Sequence, residues 1–166
     1  VISQESGCTY KLLPVETGGK ECKMSKIQVV YWTQGGNTKA MAEAVGQGVT
    51  EAGKEVEVLS VAEASLDALK EAGAFALGCP AMGAEVLEES EMEPFVSDVE
   101  KFASGKSIGL FGSYGWGDGQ WMRDWVDRMN AAGATVLNGE GVICQETPDD
   151  AALAACVELG KQLAGI

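Results

Sequence analysis

The chain has 166 residues, 46% of them hydrophobic and 22% charged, which fits one ordinary domain with a single core. Acidic side chains number 25 against 12 basic ones, for a formal charge of −13, and histidine is absent. No run approaches the roughly 18 consecutive apolar residues of a membrane span, the charge repels nucleic-acid phosphates, and hydrolytic centres of the Ser-His or Cys-His kind are excluded.

Residues 1–23 show no sustained period, contain Pro14 and the pair Gly18-Gly19, and balance three lysines against three glutamates. They read as a tail, a non-native extension or a linker from a preceding domain, with Met24 as a plausible start and no signal-peptide pattern. The domain proper is expected over residues 24–166, and it carries the whole acidic excess. Five cysteines, Cys8, Cys22, Cys79, Cys144 and Cys156, include no CxxC pair. That argues against an iron–sulfur cluster, a zinc ribbon or a dithiol centre, and fits reduced cytoplasmic thiols. No metal site is expected.

Ile27–Trp32 is a β-rich apolar run, and Asn37–Ala52 has helical period with Met41, Val45 and Val49 on one face and Gly53 behind it. Val56–Val61 alternates as a strand, and a short helix follows near Ser65–Ala72. Phe75–Cys79 is a third strand, then Met92–Ala103 a helix with Pro94 in its first turn. Ser107–Gly112 is the fourth strand, followed by a helix over Trp121–Ala132 with Trp121, Trp125 and Met129 four residues apart. Val136–Leu137 and Val142–Cys144 make one final strand interrupted at Asn138-Gly139. Thr147-Pro148-Asp149-Asp150 predicts a helix start with a Thr N-cap, running to about Ala164. Repeated strand–helix alternation predicts a doubly wound parallel sheet with helices on both faces, a three-layer α/β/α domain.

A ligand in such a sheet lies outside the carboxyl ends of the strands. The first loop there, Thr33-Gln34-Gly35-Gly36-Asn37-Thr38, offers flexible glycines, hydroxyls and an amide at a helix N-terminus, which suits a phosphate without Lys or Arg. The plain alternative is a polar turn with an ordinary N-cap. The second loop is Pro80-Ala81-Met82-Gly83-Ala84-Glu85. The third, Gly112-Ser113-Tyr114-Gly115-Trp116-Gly117-Asp118-Gly119, holds Tyr114 and Trp116 in a segment too glycine-rich for core strand, where an aromatic suits a flat ligand. Trp121 and Trp125 are read as core.

With Ala81-Met82-Gly83, the run from Glu85 to Glu91, Glu93-Pro94-Phe95 and the stretch from Gly109 to Arg128 in place, Lys26–Ile166 resembles the short-chain flavodoxins of the clostridial type. The resemblance implies the flavodoxin-like fold, a five-stranded parallel sheet in the order 2-1-3-4-5, together with non-covalent FMN and one-electron transfer cycling between semiquinone and hydroquinone, with no substrate chemistry. It also implies that Thr33, Gln34, Gly35, Gly36, Asn37 and Thr38 hold the phosphate, that Met82 covers the inner flavin face and Trp116 the outer. Glu85 would accept from flavin N3–H, and Gly112, Ser113, Tyr114, Gly115 and Gly117 would line the pyrimidine side. Pro80 and Ala81 complete the set, and the peptide between Gly83 and Ala84 is the redox-linked element at flavin N5. Three departures stand out: Gly35 in place of a threonine, Pro80 in place of a hydroxyl residue, and Ala84 in place of Asp or Asn. Glu85, Glu88, Glu89, Glu91 and Glu93 form an acidic set that would lower the potential of the reduced flavin and steer basic patches on transient redox partners, or simply make a solvated face. The expected setting is a monomer in an anaerobe's cytoplasm. The competing readings are a flavodoxin-like binding or regulatory module with weakened FMN binding, and an electron-delivery domain of a larger flavoenzyme.

Overall fold

Strands with both faces covered need apolar residues at nearly every position, and Ile27–Tyr31 and Ala74–Gly78 meet that requirement with almost unbroken burial. The computed structural model describes residues 26–82, 86–115, 117 and 119–165. The predicted tail, with Cys8 and Cys22, lies outside them. Element order is β1 (Ile27–Tyr31), α1 (Asn37–Glu51), β2 (Val56–Ser60), α2 (Leu66–Glu71), β3 (Ala74–Gly78), α3 (Met92–Glu100), β4 (Ser107–Tyr114), α4 (Gln120–Ala131), β5 (Thr135–Val136), β6 (Val142–Gln145) and α5 (Asp150–Ala164). The strands pair in parallel in the order β2-β1-β3-β4-β5, and β6 also pairs with β4. The expected sheet order is therefore present. The expected interruption of the last strand is present too: a 3-10 turn at Leu137–Gly139 separates two short pieces, which meet β4 at Ser107–Ile108 and at Phe111–Tyr114.

Side-chain alternation divides the core between two layers. Val30, Leu77, Ile108 and Leu110 face α3 and α4, where Phe95, Val99, Trp121, Trp125 and Met129 cover them. Val29, Ala76 and Phe111 face α1 and α5, against Met41, Val45, Val49 and Leu159. The two tryptophans are thus core residues, as their spacing predicts. Helices α1 and α5 approach unusually closely, because a Cβ on Gly48 would overlap the Val157 carbonyl and one on Gly160 would overlap the Val45 carbonyl. Two glycines, one on each helix, make that contact possible.

Most boundaries fall within a residue of the sequence reading; three differ by more, each for a local reason. The N-cap of α5 is Asp149 rather than Thr147, since the Asp149 carboxylate accepts from the Ala152 N–H at 2.8 Å. Helix α3 ends at Glu100, where Lys101 and Phe102 N–H groups turn back to Asp98 and Val99 carbonyls. Strand β4 continues to Tyr114, so Gly112, Ser113 and Tyr114 are strand residues. Tyr114 packs on Trp121 with ring centroids 5.6 Å apart, and Gly112 is a glycine because a Cβ there would run into the Cys79 carbonyl.

Helix α3 begins with an unusual cap. Glu88 is only 7% exposed, and its carboxylate accepts from the Ser90 hydroxyl and from the N–H groups of Ser90, Glu91 and Met92. Burial alone pushes this carboxyl up. The Ser90 hydroxyl and the Met92, Glu91 and Ser90 N–H groups outweigh that and bring it down to about 2. Glu88 is therefore a buried cap rather than part of an acidic face. Glu93 is also engaged, since Arg128 from α4 pairs with Glu93 at 2.6 Å and with Glu100 at 2.7 Å.

Two outcomes follow from this packing. Gly48→Ala or Gly160→Ala should cost about 1–3 kcal/mol of stability through overpacking, despite a gain of about 1 kcal/mol in helix propensity, and so lower the urea midpoint; an unchanged midpoint would mean the helices separate freely. A carboxyl held down in the folded state stabilises fully above its unfolded value of 4.5 and loses that contribution as pH falls toward 2. The stability gap between the unmodified protein and Glu88→Gln should then be constant above about pH 5, on the order of 3 kcal/mol, and shrink steadily in acid. A gap independent of pH would show that the cap does not act through its charge.

Candidate functional site

The three central strands end level with one another, since Tyr31 is in register with Gly78 and Gly78 with Phe111. Backbone bonds carry this alignment into the loops: Trp32 N–H to Gly78 at 3.0 Å, Cys79 N–H to Phe111 at 3.1 Å, and Ala81 N–H to Ser113 at 3.0 Å. The loops after β1, β3 and β4 consequently leave the sheet side by side. Between them lies a cleft of about 280 Å³.

From the first loop Thr33, Gln34, Gly35, Asn37 and Thr38 line this cleft. Gly36 sits at the N-cap of α1 with φ 98°, a left-handed conformation that suits glycine, and no side chain caps the helix. Instead the Thr33 hydroxyl accepts from the Gly36 N–H at 3.0 Å. The N–H groups of the first turn are thereby left for whatever enters, and the dipole favours an anion. A Cβ on Gly35 or Gly36 would meet nothing within 4 Å, so there is open space beside the loop. The ordinary capped turn considered above is not what forms.

The second loop contributes Pro80, Ala81 and Met82. Met82 and Val86 exchange backbone hydrogen bonds of 2.8 and 2.9 Å, an antiparallel bridge that fixes both ends of the segment between them. Gly83, Ala84 and Glu85 fall outside the described residues, so their expected positions are not placed. Cys79, just before Pro80, is fully buried, and burial pushes its thiol up to about 12, which disqualifies it as a nucleophile at neutral pH. Its carbonyl accepts from the Trp121 indole N–H at 3.0 Å, so this core tryptophan also pins the end of β3. At the other side, the Trp32 indole N–H donates to Glu91 at 3.1 Å and ties the first loop to the start of α3.

The third loop contributes Ser113, Tyr114 and Gly115. Gly112 is buried in β4 and Gly117 stands outside the lining. Trp116 and Asp118 are outside the described residues. A fourth loop, after β6, completes the wall with Glu146, a residue that the sequence reading passed over. Glu146 has φ 57°, its N–H donates to the Tyr114 carbonyl at 2.7 Å, and the neighbouring Gln145 amide reaches the Gly115 carbonyl at 3.4 Å. The signal was available in the topology, because this loop leaves the same edge of the sheet.

No Lys or Arg is among the described residues lining the cleft, and no group of three or more Cys, Asp or Glu side chains among the described residues is placed to hold a metal ion. The chemistry offered is an uncapped helix end, neutral hydroxyl and amide donors, and a thioether and an aromatic ring beyond them. Such a donor set fits a phosphate joined to a flat apolar ring, which is how FMN is built. No described helix is long and apolar enough to cross a membrane.

The family model described as Flavodoxin matches residues 29–160. The flavodoxin of Clostridium beijerinckii is 47% identical over 140 residues, covering 84% of this chain and all of the relative. That of Megasphaera elsdenii is 44% identical over 138 residues, covering 83% of this chain and 98% of the relative. The solution structure of the two-electron reduced Megasphaera elsdenii flavodoxin superposes with a TM-score of 0.77 at 43% identity, over 84% of this chain and 99% of that one. With the helix-end cleft, the sheet order and these similarities in agreement, the chain belongs to the flavodoxin family.

Proposed function

We propose that this flavodoxin shuttles single electrons between partner oxidoreductases, with FMN seated in the cleft formed by the loops after β1, β3 and β4. A flavodoxin is an FMN-binding electron carrier rather than an enzyme with a substrate of its own. Bound FMN supplies the one-electron chemistry. The observation that carries the assignment of the site is the uncapped N-terminus of α1, opening into a cleft walled by the three loops.

In this reading, residues Thr33 to Thr38 bind the phosphate through first-turn N–H groups and hydroxyls, with Gly36 keeping the helix end clear. Met82, anchored by its bridge to Val86, lies against the inner face of the ring. Tyr114 and Gly115 line the pyrimidine side, Trp116 covers the outer face and Glu85 accepts from N3–H. The Gly83–Ala84 peptide sits at N5. Pro80 and Ala81 close the wall opposite α1, where Pro80 supplies neither a hydroxyl nor an N–H.

The surface charge supports transient partners with basic patches, in an anaerobe's cytoplasm, bound by a monomer. Of the acidic set, Glu88 is consumed by capping and Glu93 by Arg128, which leaves Glu89 and Glu91 as the described members for steering. The binding or regulatory module without FMN is not favoured at 47% identity to an entire flavodoxin.

Addition of FMN to the flavin-free protein should give a one-to-one yellow complex, and anaerobic reductive titration should resolve two separate one-electron steps; no binding below about 10 µM, or a single two-electron step, would defeat the proposal. Pro80→Ser restores a hydroxyl beside the phosphate loop and should tighten FMN binding about tenfold, the worth of one added hydrogen bond to an anion. Isothermal titration against the unmodified protein measures this directly, and unchanged affinity would show that Pro80 stands clear of the phosphate.

A further inference from the structure

The hydroxyls of Ser113 and Thr38 together carry one more proton than the hydrogen bond between them uses. Strand β4 alternates, so Ile108 and Leu110 face α3 and α4 while Phe111 faces α1 and α5. Ser113 lies two residues beyond Phe111 and shares its face, which is the face toward α1. Its Oγ stands 3.4 Å from Oγ1 of Thr38, in the first turn of α1. Both residues line the cleft, and both are deeply buried, Thr38 at 1% and Ser113 at 5% exposure.

Each hydroxyl has one proton to donate. Between two hydroxyls only one proton is used, through a long bond at that, and neither group has another partner among the described residues. One buried O–H is left without an acceptor, a costly arrangement unless a ligand oxygen completes it. The position of Thr38 decides where that oxygen lies. It is beside the uncapped helix end, at the phosphate end of the cleft, and not at the ring end toward which Tyr114 and Gly115 continue.

We infer that Ser113 is a phosphate-binding residue of this chain, its hydroxyl acting with that of Thr38 on one phosphate oxygen, rather than a residue of the pyrimidine side. The inference rests on the FMN site proposed above. It also gives the phosphate, beside a loop with Gly35 and a wall with Pro80, one hydroxyl from the end of β4.

The test compares FMN with riboflavin, which lacks only the phosphate. Dissociation constants are measured by flavin fluorescence quenching for the unmodified protein, for Ser113→Ala and for Ser113→Gly, with circular dichroism to show that each variant is folded. The expected result is a loss of FMN affinity of about tenfold or more, the value of one charge-assisted hydrogen bond, with riboflavin affinity unchanged, in whichever variant folds. Equal losses for both flavins would place Ser113 at the ring or the ribityl chain and overturn the inference, as would unchanged affinity for both. If the unmodified protein binds neither flavin, the electron-carrier reading falls together with this one. If it binds FMN and only the Ser113 result is negative, the carrier reading stands alone.

Discussion

Parallel pairing of β1, β3 and β4 in a register that ends all three strands on one line is the constraint from which the site arises. Parallel strands need their crossovers to return across the sheet, so every strand-to-helix loop leaves from the same edge. Here three such loops are stitched together by backbone hydrogen bonds from Trp32, Cys79 and Ala81. A shift of one residue in β4 would turn Ser113 away from Thr38, and one in β1 would move the helix end relative to the cleft. The close seat of α1 on α5 through Gly48 and Gly160 anchors that helix at its far end, away from the cleft.

Charge is distributed less simply than a total of −13 suggests. Some carboxylates do structural work: Glu88 caps α3 from a buried position, Glu93 and Glu100 clamp Arg128 between two helices, and Asp149 caps α5. The cleft, Glu146 apart, is lined by uncharged residues. A phosphate held there by N–H dipoles and hydroxyls would bring its own charge into an acidic protein without any compensating cation beside it among the described residues. Such a site is maintained by geometry rather than by opposite charge, which explains why so much backbone hydrogen bonding converges on it.

Much of the architecture was legible in the chain because each element had a clean period. The β-rich apolar run IQVVY and the four-residue spacing of Trp121, Trp125 and Met129 specify a buried strand and a core helix, and both are present. The misreadings have local physical causes. Thr147-Pro148-Asp149-Asp150 offers more than one competent cap, and propensity does not choose between them. Glycines around Ser113 resemble a loop, yet Gly112 is required inside the strand by the Cys79 carbonyl, a contact between segments that no local pattern records. Glu88 looked like one of several surface acids, since its four donors are recognisable only once α3 has folded over it. Glu146 carried no glycine or aromatic signal, and only the topology brings it to the cleft.

The bridge between Met82 and Val86 has a kinetic meaning. Electron transfer is slowed by every atom that must be displaced when the charge changes, and a long loose loop beside a redox centre would add a large reorganisation energy. Two reciprocal hydrogen bonds tie the loop after β3 to the stretch that leads into α3, so Met82 and Val86 are held by the fold itself. A protein whose task is to accept and release electrons repeatedly gains from such an anchor, because backbone that is already fixed adds little to the reorganisation.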